Sequence, residues 1–238
     1  MPRIRIEIRQ ATTAPAMDSL QHTYNNLMDL DEASRLIEAC PGILDNLANL
    51  LVKHKLHDFY EIRLNHKHFD ITRGEKVVTF HGNRNMSVSV VCKDAECPRE
   101  LLASEGIEPA PGGKVIPSDF IIKNGRAIAY EFVYTHTDKI PSLSPEFLQE
   151  WSDCLRDQGL DNFLGLCVRE DGVPFDALEV SDSENRINRL FFKYDGAEGG
   201  VDLTTSWRVD EQNGLGVAMK CKKCKTMNVH ERKCMANN

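Results

Sequence analysis

Apolar residues recur at intervals of three and four in the first third of the chain. Between residues 31 and 57, Leu47 and Leu51 belong to such an apolar stripe, which is typical of a helix with one buried face. Pro41 interrupts the stripe, and because proline does not fit inside a helix, two helices are predicted there. A further short helix is predicted over residues 18–28.

The pattern changes after residue 60, where apolar and polar residues alternate. A period of two places successive side chains on opposite faces of a strand. The Asn124-Gly125 pair is a strong hairpin signal and separates two such strands, and a hairpin is also predicted between residues 60–71 and 75–82. The predicted strands are 3–9, 60–71, 75–82, 85–93, two strands within 114–135, 163–170, 185–195 and 201–210.

One later helix is marked at both ends. Ser144 is a suitable N-cap, Pro145 suits the first helical position, and Gly159 suits the position after the last turn. Helices near the N-terminus, an antiparallel or mixed sheet and one later helix indicate an α+β fold. We expect a single domain over residues 1–219 and a short basic Cys/His tail over residues 220–238.

The composition is that of an ordinary globular protein, with 41% hydrophobic and 27% charged residues. The chain contains no apolar run of the roughly 18 residues that a membrane helix needs, and its first residues lack the apolar segment of a signal peptide. We therefore expect an intracellular, cytoplasmic protein with no membrane partner. Its eight cysteines are then candidates for metal binding, packing or chemistry before disulfides.

The net charge of −7 argues against nucleic-acid binding by the whole surface. The charge is uneven, because residues 220–234 carry six basic residues against one acidic residue. A nucleic-acid partner is therefore expected only through this basic tail.

A pair of histidines two residues apart is the first candidate site. On a strand over residues 60–71, His66 and His68 share a face with Ile62 and Leu64, which we expect to be the inner face. Two imidazoles on one face are a common way to hold a metal, and Glu131, on a strand face of small apolar residues, is a candidate third ligand. A divalent metal held by this pair of histidines would be catalytic, and it would be distinct from the structural zinc that is predicted below for the tail. The alternative is a hydrogen-bonded structural pair of histidines.

The second candidate site is the stretch CKKCKTMNVHERKC at residues 221–234. Three thiolates and one imidazole complete a tetrahedral zinc site, so Cys221, Cys224, His230 and Cys234 are predicted to hold a structural zinc. The spacing resembles that of a zinc knuckle, but the aromatic residues that a knuckle stacks on bases are missing. The alternative is a tail whose cysteines bind no metal.

These landmarks together resemble a broad group of uncharacterised fungal proteins. Members tend to carry an L-x-H-x-H-F stretch, then G-E, and later Y-E-F. The resemblance covers most of the chain from about residue 45 onward, and it implies that the landmarks belong together without implying an activity. The matching positions are Leu64, His66, His68, Phe69, Gly74, Glu75 and Tyr130 to Phe132.

Three functional hypotheses follow. The first is an intracellular metal-binding protein that acts as a metal-dependent enzyme on a small-molecule substrate. The second is a zinc-stabilised binding or adaptor protein whose basic C-terminal tip contacts a protein or RNA partner. The third is a metal-free protein with incidental cysteines. The sequence indicates neither the substrate nor the oligomeric state.

Overall fold

The computed structural model describes residues 17–28, 30–82, 86–93, 96–137, 140–169, 177–192, 200–210 and 214–224. The strand predicted over residues 3–9 lies outside these ranges. The helices are α1 (Met17–Asn25), α2 (Leu30–Glu38), α3 (Ile43–Lys53), α4 (Arg99–Ser104) and α5 (Pro145–Arg156). The strands are β1 (Tyr60–Leu64), β2 (Glu75–His81), β3 (Met86–Lys93), β4 (Lys114–Lys123), β5 (Arg126–Thr135), β6 (Leu164–Val168), β7 (Ala177–Asp182), β8 (Ile187–Phe191), β9 (Gly200–Asp210) and β10 (Gly214–Cys224).

These ten strands form one closed barrel in the order β1-β6-β4-β5-β2-β3-β8-β7-β10-β9. The barrel closes because β1 pairs with β6 on one side and with β9 on the other. The neighbours β2 and β5 are parallel, as are β7 and β10, and the other neighbouring pairs are antiparallel.

The predicted α+β fold with an antiparallel or mixed sheet is wrong, since the ten strands close into a barrel and the five helices are short. Alternation identifies strands one at a time, but it carries no information on whether the two edge strands meet. Two strands were also missed. β7 is short, and the alternation in β10 is diluted by glycines and lysines in GLGVAMKCKKC.

Local signals with a defined geometry were more reliable. The predicted late helix is present as α5, and the Ser144 hydroxyl accepts a hydrogen bond from the Phe147 backbone N–H at 3.1 Å. The predicted turn between β4 and β5 is also present, with positive φ at both Asn124 (50°) and Gly125 (66°). The hairpin predicted between residues 60–71 and 75–82 is wrong, because β1 pairs with β6 and β9 while β2 pairs with β3 and β5.

The two faces of the barrel wall differ in polarity. Ile62 and Leu64 of β1 belong to a large apolar cluster that includes Leu51 of α3 and Trp151 of α5. Burial of each such side chain stabilises the fold by about 1.5–3 kcal/mol. Glu61 and Arg63, which alternate with Ile62 and Leu64 along the strand, line a cavity inside the barrel. The apolar face of β1 therefore packs against the helices, which is the reverse of the orientation that we expected.

Cys92 at the end of β3 forms a disulfide with Cys97, which lies just before α4. This bridge departs from the expectation that the cysteines serve metal binding, packing or chemistry in reduced form. Among the described residues, no helix has both the length and the apolar character that a membrane span requires.

Candidate metal centre in the barrel wall

Three potential metal ligands meet where β1 leaves the barrel. His66 and His68 lie in the segment that follows β1, which ends at Leu64, and Cys221 lies in β10. One ligand atom from each residue lies within 4.8 Å of the others, and this group could hold a metal ion. We refer to His66, His68 and Cys221 as the His–His–Cys cluster.

His66 is oriented as a metal-binding imidazole usually is. Its Nδ1 lies 2.8 Å from the Leu64 carbonyl oxygen, so Nδ1 carries the proton and Nε2 carries a lone pair. That Nε2 atom is buried and has no hydrogen-bond partner. Burial first, and then the positive charges of His68 and Arg63, lower the pKa of His66 to about 3. The ring is therefore neutral at physiological pH, which is the form that binds metals.

His68 is held from both sides. Its Nδ1 lies 2.7 Å from the Ser181 hydroxyl, and its Nε2 lies 3.2 Å from the Asn188 side-chain amide. The rings of His68 and His66 are 4.7 Å apart in an edge-to-face arrangement. Burial is the main cause that lowers the pKa of His68. The Ser181 and Asn188 contacts together fix the orientation of the ring.

Glu179 of β7 lies beside both histidines. Its two carboxylate oxygens are each 3.8 Å from a histidine Nε2, one from that of His66 and one from that of His68. Cys221 is the register partner of Glu179, since β10 runs parallel to β7. The strand pairing thus places a carboxylate next to the thiol ligand of the cluster.

Three other side chains hold Glu179 in place. Arg63 donates a hydrogen bond at 2.9 Å, the Asn188 amide donates at 3.2 Å, and the Thr205 hydroxyl donates at 3.3 Å. Burial raises the pKa of Glu179, but the positive charges of Arg63 and the histidines outweigh that effect and bring the pKa to about 2. Glu179 is therefore a fixed, ionised carboxylate.

The cavity inside the barrel has a volume of about 50 Å³, and most of the residues that line it are charged or polar. Glu61 and Arg208 form one ion pair, with 2.6 Å between Glu61 Oε1 and Arg208 Nε. Arg63 forms a second group with Glu179 and with Asp119, whose Oδ1 lies 3.4 Å from Arg63 Nε. The barrel therefore encloses a network of charges where an apolar filling is usual.

Glu131 of β5 faces the same cavity and has no ion-pair partner among the described residues. It is the register neighbour of Asp119 on β4. Burial first, and then the negative charge of Asp119, raise the pKa of Glu131 well above its ordinary value. Burial also raises the pKa of Asp119, against the opposing effect of Arg63. Burial therefore shifts both carboxyl groups towards the protonated form.

The structure brings together two residues of the first predicted ligand set. His66 and His68 are adjacent, but they meet Cys221 and not Glu131, which lines the cavity outside the His–His–Cys cluster. The structural zinc site predicted in the tail stays a prediction. Cys224 ends β10, and its side chain, His230 and Cys234 lie outside the part of the chain whose side chains are described.

Sequence reasoning missed Glu179, Arg63 and Asp119. Each is a charged residue inside a strand that is otherwise mostly apolar, and such residues are costly to bury without a partner. That signal was used for Glu131 but was not applied to the other strands.

A search of protein-family models, of curated proteins and of solved structures gave no match to this chain. The assignment of a function therefore depends on the geometry of the site.

Proposed function

We propose that the protein is a metal-dependent enzyme that acts on a small molecule at the barrel cavity, with His66, His68 and Cys221 as the metal ligands. The observation that carries the proposal is the buried His66 Nε2 lone pair, which has no hydrogen-bond partner, in a residue that has a ligand atom within 4.8 Å of ligand atoms from His68 and Cys221. An acceptor in this position costs free energy unless a cation or a donor occupies the space beside it.

The donor set favours a transition metal over magnesium or calcium. Two imidazoles and one thiolate are soft to borderline ligands, which suit zinc and copper, whereas magnesium and calcium prefer oxygen. Three protein ligands also leave a fourth position open, as in catalytic zinc sites. A metal there would polarise a bound substrate or lower the pKa of a bound water molecule.

The charged interior supports an enzyme over a structural metal site. A buried ion pair is weak evidence for stability, because desolvation of the charges costs about as much as their attraction returns. Four carboxyl groups and two guanidinium groups line this cavity. Clusters of buried ionisable groups with shifted pKa values are typical of functional sites.

Glu179 would accept a hydrogen bond from a water molecule on the metal and orient it, because its pKa of about 2 makes it a weak base. Its oxygens are already engaged by Arg63, Asn188 and Thr205, so it is not available as a fourth ligand without the loss of those bonds. At 3.8 Å from both histidine Nε2 atoms, it lies within reach of a group bound at the open position.

The test is elemental analysis of untagged protein, with the variants His66→Ala and His68→Ala. The proposal predicts about one transition metal per chain, and loss of that metal in both variants without loss of the fold. His22→Ala is the matched control, because His22 is an exposed histidine on α1, and it should retain the metal. A full metal content in the His66 and His68 variants would contradict the proposal.

A second variant separates the two roles that Glu179 could have. Glu179→Gln keeps the size of the side chain and removes its charge. If Glu179 orients a water molecule at the metal through its negative charge, this variant keeps the metal and loses metal-dependent turnover. Loss of the metal from Glu179→Gln would make Glu179 a ligand instead.

A further inference from the structure

The two histidines of the His–His–Cys cluster lie on a connecting segment, residues 65–74, that runs from β1 to β2. This connecting segment is neither helix nor strand, although it carries two of the three proposed ligands. Within the described part of the chain, no backbone–backbone hydrogen bond involves residues 66–71. Side chains from other elements therefore satisfy and hold this backbone, and they determine where His66 and His68 lie.

Asn25, the last residue of α1, holds one side of the connecting segment. Its side-chain amide donates a hydrogen bond to the Ile71 carbonyl oxygen at 2.8 Å, and its side-chain oxygen accepts one from the Ile71 backbone N–H at 2.9 Å. The Asn25 backbone carbonyl also accepts a hydrogen bond from the Lys67 ammonium group at 3.0 Å. Asparagine suits this contact because it carries a donor and an acceptor on one short planar group, whereas an ionised aspartate has no donor.

Arg186 holds the other side of the connecting segment from the turn between β7 and β8. Its guanidinium group donates a hydrogen bond to the Asp70 carbonyl oxygen at 2.9 Å and contacts both carboxylate oxygens of Glu75. Glu75 in turn accepts a hydrogen bond from the Thr72 backbone N–H at 2.6 Å. The backbone of Arg186 has a positive φ of 55°, which glycine adopts at a lower cost. The contacts of its side chain, and not its backbone preference, account for an arginine here.

The two contact points lie close to His68 along the chain. His68 is three residues before Ile71 and two residues before Asp70, and its own carbonyl oxygen accepts a hydrogen bond from the Ser183 hydroxyl at 3.3 Å. A backbone that is fixed at these residues on one side, and at the end of β1 on the other, has few free dihedral angles in between. The distance from both imidazoles to Cys221, which is fixed in β10, therefore depends on these contacts.

We propose that Asn25 and Arg186 are positioning residues of the metal centre, because they hold the connecting segment in the path that brings both histidines to Cys221. This inference rests on the proposed function and adds two residues from outside the His–His–Cys cluster. Neither residue belongs to the ligand set, and neither lines the cavity. Removal of residues that orient metal ligands typically lowers metal affinity by about 10- to 100-fold. A loss of about tenfold is expected here, because the contacts act through the backbone.

The experiment titrates cobalt(II) into full-length, untagged protein and follows the visible absorption band that His66→Ala removes. Asn25→Ala should weaken the affinity for cobalt(II) about tenfold. It should also shift the band at saturation, because all three ligands are retained but their spacing is no longer fixed. The band of the saturated, folded protein reports the ligand geometry, which a general loss of stability does not change. Circular dichroism checks that each variant is folded.

Asn26→Ala is the matched control for Asn25→Ala. Asn26 follows α1 directly, and its side-chain amide contacts only His22 of the same helix, at 2.6 Å from the carbonyl oxygen and 3.1 Å from the ring Nδ1. Asn26→Ala should therefore retain the affinity and the band of the wild type. An equal change in Asn26→Ala would assign the effect to α1 as a whole and would overturn the role of Asn25.

Two conservative variants keep the test decisive if Asn25→Ala does not fold. Asn25→Asp keeps the acceptor for the Ile71 N–H but has no donor for the Ile71 carbonyl. Arg186→Lys keeps the positive charge beside Glu75 but lacks the planar fork that contacts Glu75 and the Asp70 carbonyl together. Both variants should weaken cobalt(II) binding and shift the band, and an effect in only one of them would overturn the role of the other residue.

The outcomes separate this inference from the proposed function. If His66→Ala removes a cobalt band while folded Asn25→Asp and Arg186→Lys bind cobalt(II) as the wild type does, the positioning role is overturned and the metal centre remains. If the cobalt spectrum of His66→Ala equals that of the wild type, both proposals are overturned.

Discussion

The outer and inner faces of strand β1 differ in the kind of side chains that surround them. Ile62 and Leu64 on the outer face pack with α3 and α5 in a continuous apolar cluster. Glu61 and Arg63 on the inner face lie among carboxylates and guanidinium groups at the cavity. Burial of the outer face stabilises the fold, whereas burial of charged groups on the inner face costs part of that stability. The comparison shows that the polar face of an alternating strand can be the enclosed one.

The largest effect is expected from an uncompensated charge on the inner face. Arg63→Met leaves Glu179 and Asp119 without their shared cation, and removal of one partner from a buried ion pair destabilises by about 3–5 kcal/mol. Urea unfolding of the variant measures this cost. The half-buried pair of Arg189 with Glu105 offers the control, and Arg189→Met should cost distinctly less. Equal losses of unfolding free energy in Arg63→Met and Arg189→Met would contradict a larger cost for breaking the buried network.

A comparable loss of stability is expected on the outer face, but with a different functional result. Leu51 of α3 is fully buried in the apolar cluster, and Leu51→Ala should reduce the free energy of unfolding by about 2–5 kcal/mol. Because Leu51 does not line the cavity, the metal content of the folded variant should stay at the wild-type level. Loss of metal from folded Leu51→Ala would show that packing on the outer face also affects the metal site.

A carboxyl group at the cavity and one outside its lining should also change stability with pH in opposite directions. Glu131 has a raised pKa in the folded state, so folding takes up a proton, and its contribution to stability is lost as pH rises above the ordinary value of 4.5. Glu75 lies outside the cavity lining and pairs with Arg186, which lowers the pKa of Glu75 to about 2. The contribution of Glu75 is therefore present above pH 4.5 and is lost as pH falls towards 2.

Stability curves of Glu131→Gln and Glu75→Gln measure these two slopes. Compared with the wild type, Glu131→Gln should lose the decline above pH 4.5, and Glu75→Gln should lose the decline below that pH. An unchanged curve for Glu131→Gln at neutral and alkaline pH would mean that Glu131 is ionised in the folded protein.

The smallest effect is expected at the start of α5, far from the inner face. Ser144→Ala removes the hydrogen bond from the Phe147 backbone N–H to the Ser144 hydroxyl, which should cost about 1 kcal/mol. Thermal unfolding gives the value, and Ser144→Asp should retain most of the stability because aspartate is also a good N-cap. A loss of metal on Ser144→Ala would not be consistent with a site confined to the inner face.

The sequence was informative where a signal is local. The N-cap at Ser144 and the Asn124-Gly125 turn specify a backbone geometry within a few residues, and both predictions are confirmed. Closure of the barrel depends on the pairing of β1 with β9, about 140 residues apart in the chain. No period or propensity of a single segment encodes such a contact.

The candidate site was predicted in part for the same reason. His66 and His68 are neighbours in sequence, and the sequence indicated them as a pair. Their third partner, Cys221, is supplied by a strand that was interpreted as the beginning of a tail. Glu179 reaches the site through the parallel pairing of β7 with β10, which no local pattern indicates.

The most direct test of the central claim is the near-ultraviolet absorption of the cobalt(II) protein, in which a cobalt–thiolate bond gives an intense charge-transfer band. Wild-type protein is compared with Cys221→Ser and with Cys224→Ser. A metal held by His66, His68 and Cys221 predicts a one-thiolate band that Cys221→Ser abolishes and Cys224→Ser leaves unchanged. A band of several-thiolate intensity that both variants reduce would place the metal in the C-terminal Cys/His stretch and contradict the barrel site.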